Sequence, residues 1–310
     1  MGDRDHAARP RRLTADIGKR EPTGSRGVRK IPISVWLLAP GAVALALMMG
    51  GPVGVLAYES FRVFVPGSVR AGAGLTFANY LELFKPAYAF YAYETFRIGL
   101  IVSAISVLAG VPMAYVAVRS RHVLVRKGLL TLLVGLLVMS LIARLYAIEM
   151  TWGTHGPLAP LGALTGFAPR SPRYAEVLVA IGLLHFTLPV VSLMLVGTFR
   201  ALSPRLEEAA ASLGASRSEA IATVVLPLAS SAIVSAFLVS LAMCISNFVA
   251  PLLLGRGVVV FTTNLMYTRF SDIGNYPSGA AIGVFMLVAS FAVVYGLATL
   301  ARRYLPGTVR

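Results

Sequence analysis

The chain has little charge: of 310 residues only 13% are Asp, Glu, Lys or Arg, where a soluble domain carries about 25%. With 57% hydrophobic residues and a positive mean hydropathy, this excludes an ordinary soluble domain and points to an integral membrane protein. There is a single cysteine, Cys244, in an apolar run, so no intramolecular disulfide forms, and the thiol reads as a small packing group. The four histidines make no cluster at metal-ligand spacing, alone or with that cysteine. A nucleophile elbow is missing, as is a carboxylate pair within an apolar stretch. The phosphate-binding Walker A pattern is absent too. The only Gly-Lys pair, Gly18-Lys19, lacks both the following Ser/Thr and the upstream glycine. No cofactor is expected on this chain, which reads as a non-enzyme.

What is abundant is apolar length. Six stretches reach the roughly 20 residues that cross a bilayer as helix: 32–58, 94–118, 128–148, 174–199, 229–252 and 278–301. Helix is expected in each, because a helix satisfies its own backbone in lipid. The organisation is therefore a basic tail (1–31), an all-α six-helix membrane domain (32–301, its core at about 94–301) and a short tail (302–310). The run from Ile31 to Tyr58 far exceeds the 7 to 15 residues of a signal-peptide core, so it is read as an uncleaved first span.

The net charge of +15 would suggest nucleic acid in a soluble protein, but its distribution gives it another meaning. Residues 1–31 hold nine Lys or Arg with little apolar periodicity, which predicts a disordered tail. That tail either signals topology or meets anionic headgroups or RNA. With the N-terminus inside, 19 of the 28 positive residues fall in inside segments, so the positive-inside rule gives N-in and C-in. Membrane lipid is the expected environment and nucleic acid is not an expected partner. The outer segment 59–93 is rich in aromatics and reads as an interfacial belt or a surface for a soluble partner. The segment 153–173, rich in Gly and Pro, leaves room for one short helix.

One polar stretch interrupts the apolar ones between spans four and five, Ser203 to Pro227. Ser203-Pro204 is a helix start. Gly214 is a helix stop, since only glycine enters the left-handed region without steric cost. Ser216 with Glu219 predicts a capping box, and Pro227 is expected to limit or kink the second helix. Charge counting places this helix–glycine–helix element in the cytoplasm.

The spacing Glu208-Ala209-Ala210, three residues, Gly214, nine residues, Val224, one residue, Leu226-Pro227 resembles the EAA loop of permease subunits of binding-protein-dependent ATP-binding-cassette (ABC) importers, with Val224 where the pattern has Ile. Softer matches run from about Leu75 to Leu300. They are Asn79-Tyr80, Val111 to Tyr115, Arg144-Leu145-Tyr146, Leu188-Pro189, Asn247 to Pro251 with Gly255, and Asn275 to Ala281. Their pattern is most similar to spermidine/putrescine-type permeases. Permeases for phosphonates, opines, iron and thiamine share much of it, and the long basic tail is not part of it.

The resemblance implies a multi-pass subunit of a bacterial inner membrane, forming the path for a small solute, such as a polyamine, delivered by a soluble binding protein. It implies two ABC ATPase subunits that use ATP and Mg, and a second permease subunit, expected to be a sister chain. Glu208, Ala209, Ala210, Gly214, Val224, Leu226 and Pro227 would be the ATPase-coupling residues, with Leu206, Ala210 and Leu213 as an apolar contact face. For the path itself, polar groups at membrane depth single out Arg144, Glu149, His185 and Asn247; His185, among Leu and Phe, reads rather as a packing histidine, and the candidate path is Arg144, Tyr146, Glu149, Asn247 and Pro251. Arg144 and Glu149, five apart, would also suit a simple pair, and Pro251 would break the fifth span and free carbonyls. Carboxylates open to a cation are Glu59, Glu82, Glu94, Glu149, Glu176 and Asp272. A self-contained secondary transporter would need inverted repeats and intramembrane ion sites. A membrane enzyme would need a convergent catalytic set. Neither is evident.

Overall fold

The computed structural model describes residues 33–67, 72–163, 168 and 170–304. The basic tail expected at 1–31, and the last six residues of the expected C-terminal tail, lie outside them. The chain forms two compact units, 1–51 and 52–310. In the first, an apolar helix begins at Ile33; this helix, α1, is Ile33–Ser60.

The second unit opens with a departure from the all-α expectation. Strands β1 (Arg62–Val63) and β2 (Gly72–Leu75) pair antiparallel, followed by the short helix α2 (Ala78–Leu83). Asn79-Tyr80 holds this cap together. The Asn79 amide donates to the carbonyls of Ser60 and Arg62 (2.9 Å each), and Tyr80 Oη meets the buried Ser60 hydroxyl at 2.7 Å. Phe77 and Phe84 remain exposed.

The remaining helices are α3 (Pro86–Arg119), α4 (Val123–Val138), α5 (Leu141–Trp152), α6 (Ala159–Ala163) and α7 (Pro172–Ala201). After these come α8 (Arg205–Ser212), α9 (Arg217–Ala220), α10 (Leu226–Ser246), α11 (Val249–Leu254), α12 (Thr262–Tyr267) and α13 (Tyr276–Tyr304). Among the described residues five helices are long and apolar enough to cross a membrane: Pro40–Ser60, Pro86–Arg119, Pro172–Ala201, Arg217–Ser246 and Tyr276–Arg303. The short helix expected in 153–173 is α6.

Two expected spans differ from a plain helix. Residues 128–148 do not form one rod, because α4 and α5 meet at 101° across Met139–Ser140, where both residues leave the helical region. The stretch 229–252 divides at Asn247, whose ψ of 122° ends α10 before α11 begins. Both stretches stay apolar enough over their length to read as single spans, so averaged hydropathy does not register the breaks.

Of the two roles expected of Pro227, limiting the helix or kinking it, the first does not hold. Pro227 does not end the second polar helix, which continues from Arg217 through α10 to Ser246. Residues Ile221–Val225 form a π turn in which the Leu226 amide reaches back five residues to the Ile221 carbonyl. That wider turn just before the proline gives room for a ring that would otherwise strike the carbonyl four residues back.

The core is the contact of α3 with α7, joined by α10. Small residues let the backbones approach, as expected where lipid supplies no hydrophobic drive between helices. A Cβ added to Gly110 would stand 2.8 Å from Val191 Cγ1. One turn away the buried Ser106 and Thr187 hydroxyls meet at 2.6 Å. Toward the end of the pair, Tyr115 and Phe199 pack edge to face at 6.0 Å. The motif Asn275 to Ala281 begins α13: Asn275 Oδ1 accepts from the Ser278 amide at 3.0 Å, and Ala280 and Ala281 are fully buried.

Candidate functional site

The polar stretch folds as helix, left-handed glycine, helix. Gly214 has φ 90°. The Ala215 amide donates to the Ala210 carbonyl at 3.1 Å and the Gly214 amide to Ala211 at 3.0 Å, which is the paired hydrogen bonding of a Schellman ending. The expected capping box is present: the Ser216 amide donates to Glu219 Oε2 at 2.7 Å, and the Glu219 amide donates to Ser216 Oγ at 3.4 Å. Ser203 lies one residue before the position it was expected to hold, its hydroxyl meeting the Arg205 amide at 3.4 Å.

The motif residues split between outside and inside. Glu208, Ala209, Gly214 and Pro227 are exposed, whereas Ala210, Val224 and Leu226 are half-buried. Leu213 is 91% exposed and Leu206 40%. Leu206 lies in the first turn of α8 and Leu213 at its C-cap, on a helix with no buried residue of its own.

The link from this element to the bundle escaped the sequence reading. Glu207 Oε2 accepts from Tyr115 Oη at 2.8 Å, and Oε1 accepts from Arg119 Nε at 2.9 Å. Arg119 also donates to the Leu202 carbonyl at 2.7 Å. The Arg217 guanidinium stands 5.9 Å from the centre of the Tyr115 ring. One group of side chains thus ties α8 and α9 to the adjoining ends of α3 and α7. The available signal was the Glu207-Glu208 doublet, of which the motif claims only the second member.

The candidate path residues fall on two short helices that pack together, α5 and α11, and, for Asn247, on the break just before α11. Leu145 of α5 shares a buried cluster with Ala250 and Leu254 of α11 and with Leu178 and Leu183 of α7. Arg144 is 4% exposed, its NH1 donating to the His185 carbonyl at 3.3 Å. Its Nε has no partner. Glu149 does not pair with Arg144; it binds Arg256 at 2.9 Å, in the turn after α11. Tyr146 is exposed.

Asn247 and Pro251 correct a second expectation. The helix breaks at Asn247, not at Pro251, which sits within the first turn of α11, where a missing N–H costs little. The carbonyls at the break are occupied: Thr263 Oγ1 donates to that of Asn247 and Asn264 Nδ2 to that of Phe248. Asn247 Oδ1 itself accepts from the Ala250 amide at 2.9 Å, capping α11. Replacing Asn247 with alanine should therefore cost about 1 kcal/mol. Asp, which keeps the acceptor, should cost less, and thermal unfolding of the two variants in detergent checks the order.

Carboxylates expected to be open to a cation are mostly bound to arginine. Glu94 and Glu176 converge on Arg97, Glu82 meets Arg269, and Glu149 meets Arg256.

Comparison with known proteins gives a consistent result. The model of the family described as binding-protein-dependent transport system inner membrane component matches residues 100–305. The spermidine/putrescine transport system permease protein PotB of Haemophilus influenzae is 31% identical over 227 residues, covering 71% of this chain and 78% of its own length. The inner membrane ABC transporter permease protein YdcU of Escherichia coli is 27% identical over 262 residues, covering 80% and 82%. Among solved structures, a chain of a bacterial alginate ABC transporter in complex with a periplasmic protein superposes with a TM-score of 0.72. It is 15% identical and covers 89% of this chain and 96% of that one.

Proposed function

Because this chain belongs to the binding-protein-dependent transport system inner membrane component family, we propose that it is an importer permease whose helix α8 seats on a cytoplasmic ABC ATPase and whose cargo is a polyamine. The observation that carries the coupling assignment is the exposure of Glu208 on α8, and of Leu213 and Gly214 just past its end, on a helix with no fully buried side chain. An amphipathic helix entering a groove uses such an apolar anchor and flanking charge. Glu208 offers its carboxylate to a basic residue of the ATPase, and Ala209 keeps the approach close. Charge distribution supports the N-in, C-in orientation that puts this ridge in the cytoplasm.

The polyamine assignment rests on the likeness to the spermidine/putrescine permeases. The solute reaches the chain from a soluble binding protein, and a second permease subunit, a sister chain, completes the path. Two ATPase copies supply ATP and Mg chemistry. On this chain the path runs past α5 and α11, with Arg144, Tyr146, Glu149, Asn247 and Pro251. Two helix breaks whose following segments, α5 and α11, pack together support that placement, since interrupted helices recur where transporters bind their cargo.

Cells carrying the chain with its ATPase should accumulate radiolabelled spermidine, and deletion of the ATPase should stop it. Uptake that persists without the ATPase would move the chain to the secondary transporters. ATP-dependent uptake of another solute, but not of spermidine, would leave the machine standing and remove the cargo.

A further inference from the structure

We propose that Glu207, with Arg119, is the positioning residue that makes α8 one rigid body with the ends of α3 and α7. This rests on the reading of α8 as the ATPase-facing helix.

Helix α8 has eight residues and no buried side chain. Helices so short are not stable by themselves; this one rests against the Ile221–Val225 turn and α9 through half-buried residues such as Ala210, without a fully buried apolar side chain of its own. A bend at residues 202–204 leads into it, and a left-handed glycine leads out. Without a tie to α3 and α7, those two connections would let α8 and its neighbouring turn swing against the bundle. A push on α8 would be spent in turning it, because coupling between sites needs physically connected, rigid elements.

The Glu207 carboxylate removes that freedom. Each of its oxygens takes one donor from α3, Tyr115 Oη and Arg119 Nε. Arg119 in turn holds the Leu202 carbonyl at the end of α7. The pair is largely withdrawn from water, with the Arg119 and Glu207 side chains 13% and 19% exposed. Its charge-assisted bonds are correspondingly stronger than those of a surface pair. Consecutive helix residues point about 100° apart, so Glu207 faces the bundle while Glu208 stays exposed. The two glutamates divide the work, one gripping inward and the other offered outward. Beyond the grip, the Tyr115–Phe199 contact and the Ser106–Thr187 bond continue along the α3–α7 seam, so displacement of α8 is delivered to the pair at the centre of the bundle.

The test places spin labels on Arg121→Cys and Ser212→Cys in a Cys244→Ser background, with the chain in lipid nanodiscs, alone and with its ATPase. The unsubstituted latch should give one narrow distance that is the same with and without ATP. Glu207→Ala should broaden it in both preparations, and the exchanged pair Arg119→Glu with Glu207→Arg should narrow it again. In cells, Glu207→Ala should lower uptake about tenfold while the ATPase still co-purifies and hydrolyses ATP. The exchanged pair should recover part of that uptake.

A narrow distance in Glu207→Ala would overturn the proposal. So would a distance that shifts with ATP in the intact latch, or an exchanged pair no better than the single variant. If the ATPase fails to bind even the parent chain, the coupling reading falls, while the distance width in the chain alone still judges the latch.

Discussion

A Gly214→Arg chain is expected to reach the membrane in normal amount and to import nothing. Gly214 has φ 90°, and no atom lies within 4 Å of where its Cβ would be. An L side chain there strains the backbone by about 1–2 kcal/mol, but it strikes nothing within the protein, so the bundle assembles. The arginine instead projects from the ridge between α8 and α9, beside the fully exposed Leu213. Under the proposed docking it would there separate the ATPase from Leu213. Losing a central interface anchor costs roughly 2–4 kcal/mol, about a hundredfold in affinity, and uptake should fall with it. Gly214→Ala isolates the backbone cost and should keep much of the activity. Glu208→Lys should behave like Gly214→Arg, because under the proposed docking it reverses the charge facing the ATPase without touching the bundle. ATPase co-purification and uptake, read together, check the series; undiminished uptake by inserted Gly214→Arg protein would refute the docking role.

Gly110→Leu is expected to have the largest effect on stability. Its Cβ alone would stand 2.8 Å from Val191 Cγ1 and 3.3 Å from Ser192 Oγ. Both neighbours are completely buried, and a β-branched side chain on a helix has little rotamer freedom with which to yield. Gly110→Ala should therefore cost about 1 kcal/mol even though it improves helix propensity. Leucine would push α3 and α7 apart and part the Ser106 and Thr187 hydroxyls one turn away, costing about 3 kcal/mol or more. Detergent-solubilised protein should show a lowered unfolding temperature for Ala and poor recovery for Leu. Equal unfolding temperatures for all three would show that the seam is looser than its geometry indicates.

Gly214 and Gly110 also show what a sequence can and cannot reveal. Gly214 was legible because its reason is local: a helix with a start signal ends in a left-handed residue, followed by a capping box. Gly110 lies in a uniformly apolar stretch, and nothing in its neighbours says which side of α3 meets α7. The same contrast separates Glu208 from Glu207. The motif marks the first by its offset from Gly214, whereas the partner of the second is 88 positions away. Arg119 carried a visible meaning of another kind, as one of the positive charges counted for topology. Arg144 and Glu149 were close enough in sequence to suggest a pair, yet Glu149 pairs with Arg256, 107 positions on. Which partner a charge takes depends on how α5 and α11 pack.

The sequence by itself determined the membrane class, the approximate position of most spans, the helix–glycine–helix element and the family pattern it carries. These follow from hydropathy, capping and backbone preference, all properties of adjacent residues. Tertiary structure alone decided the 101° break between α4 and α5, the division of the fifth span at Asn247, the π turn that takes the helix past Pro227, and the Glu207 grip on α3. Each of these depends on side chains far apart in the chain meeting across packed helices, or on backbone turns that averaged hydropathy does not register.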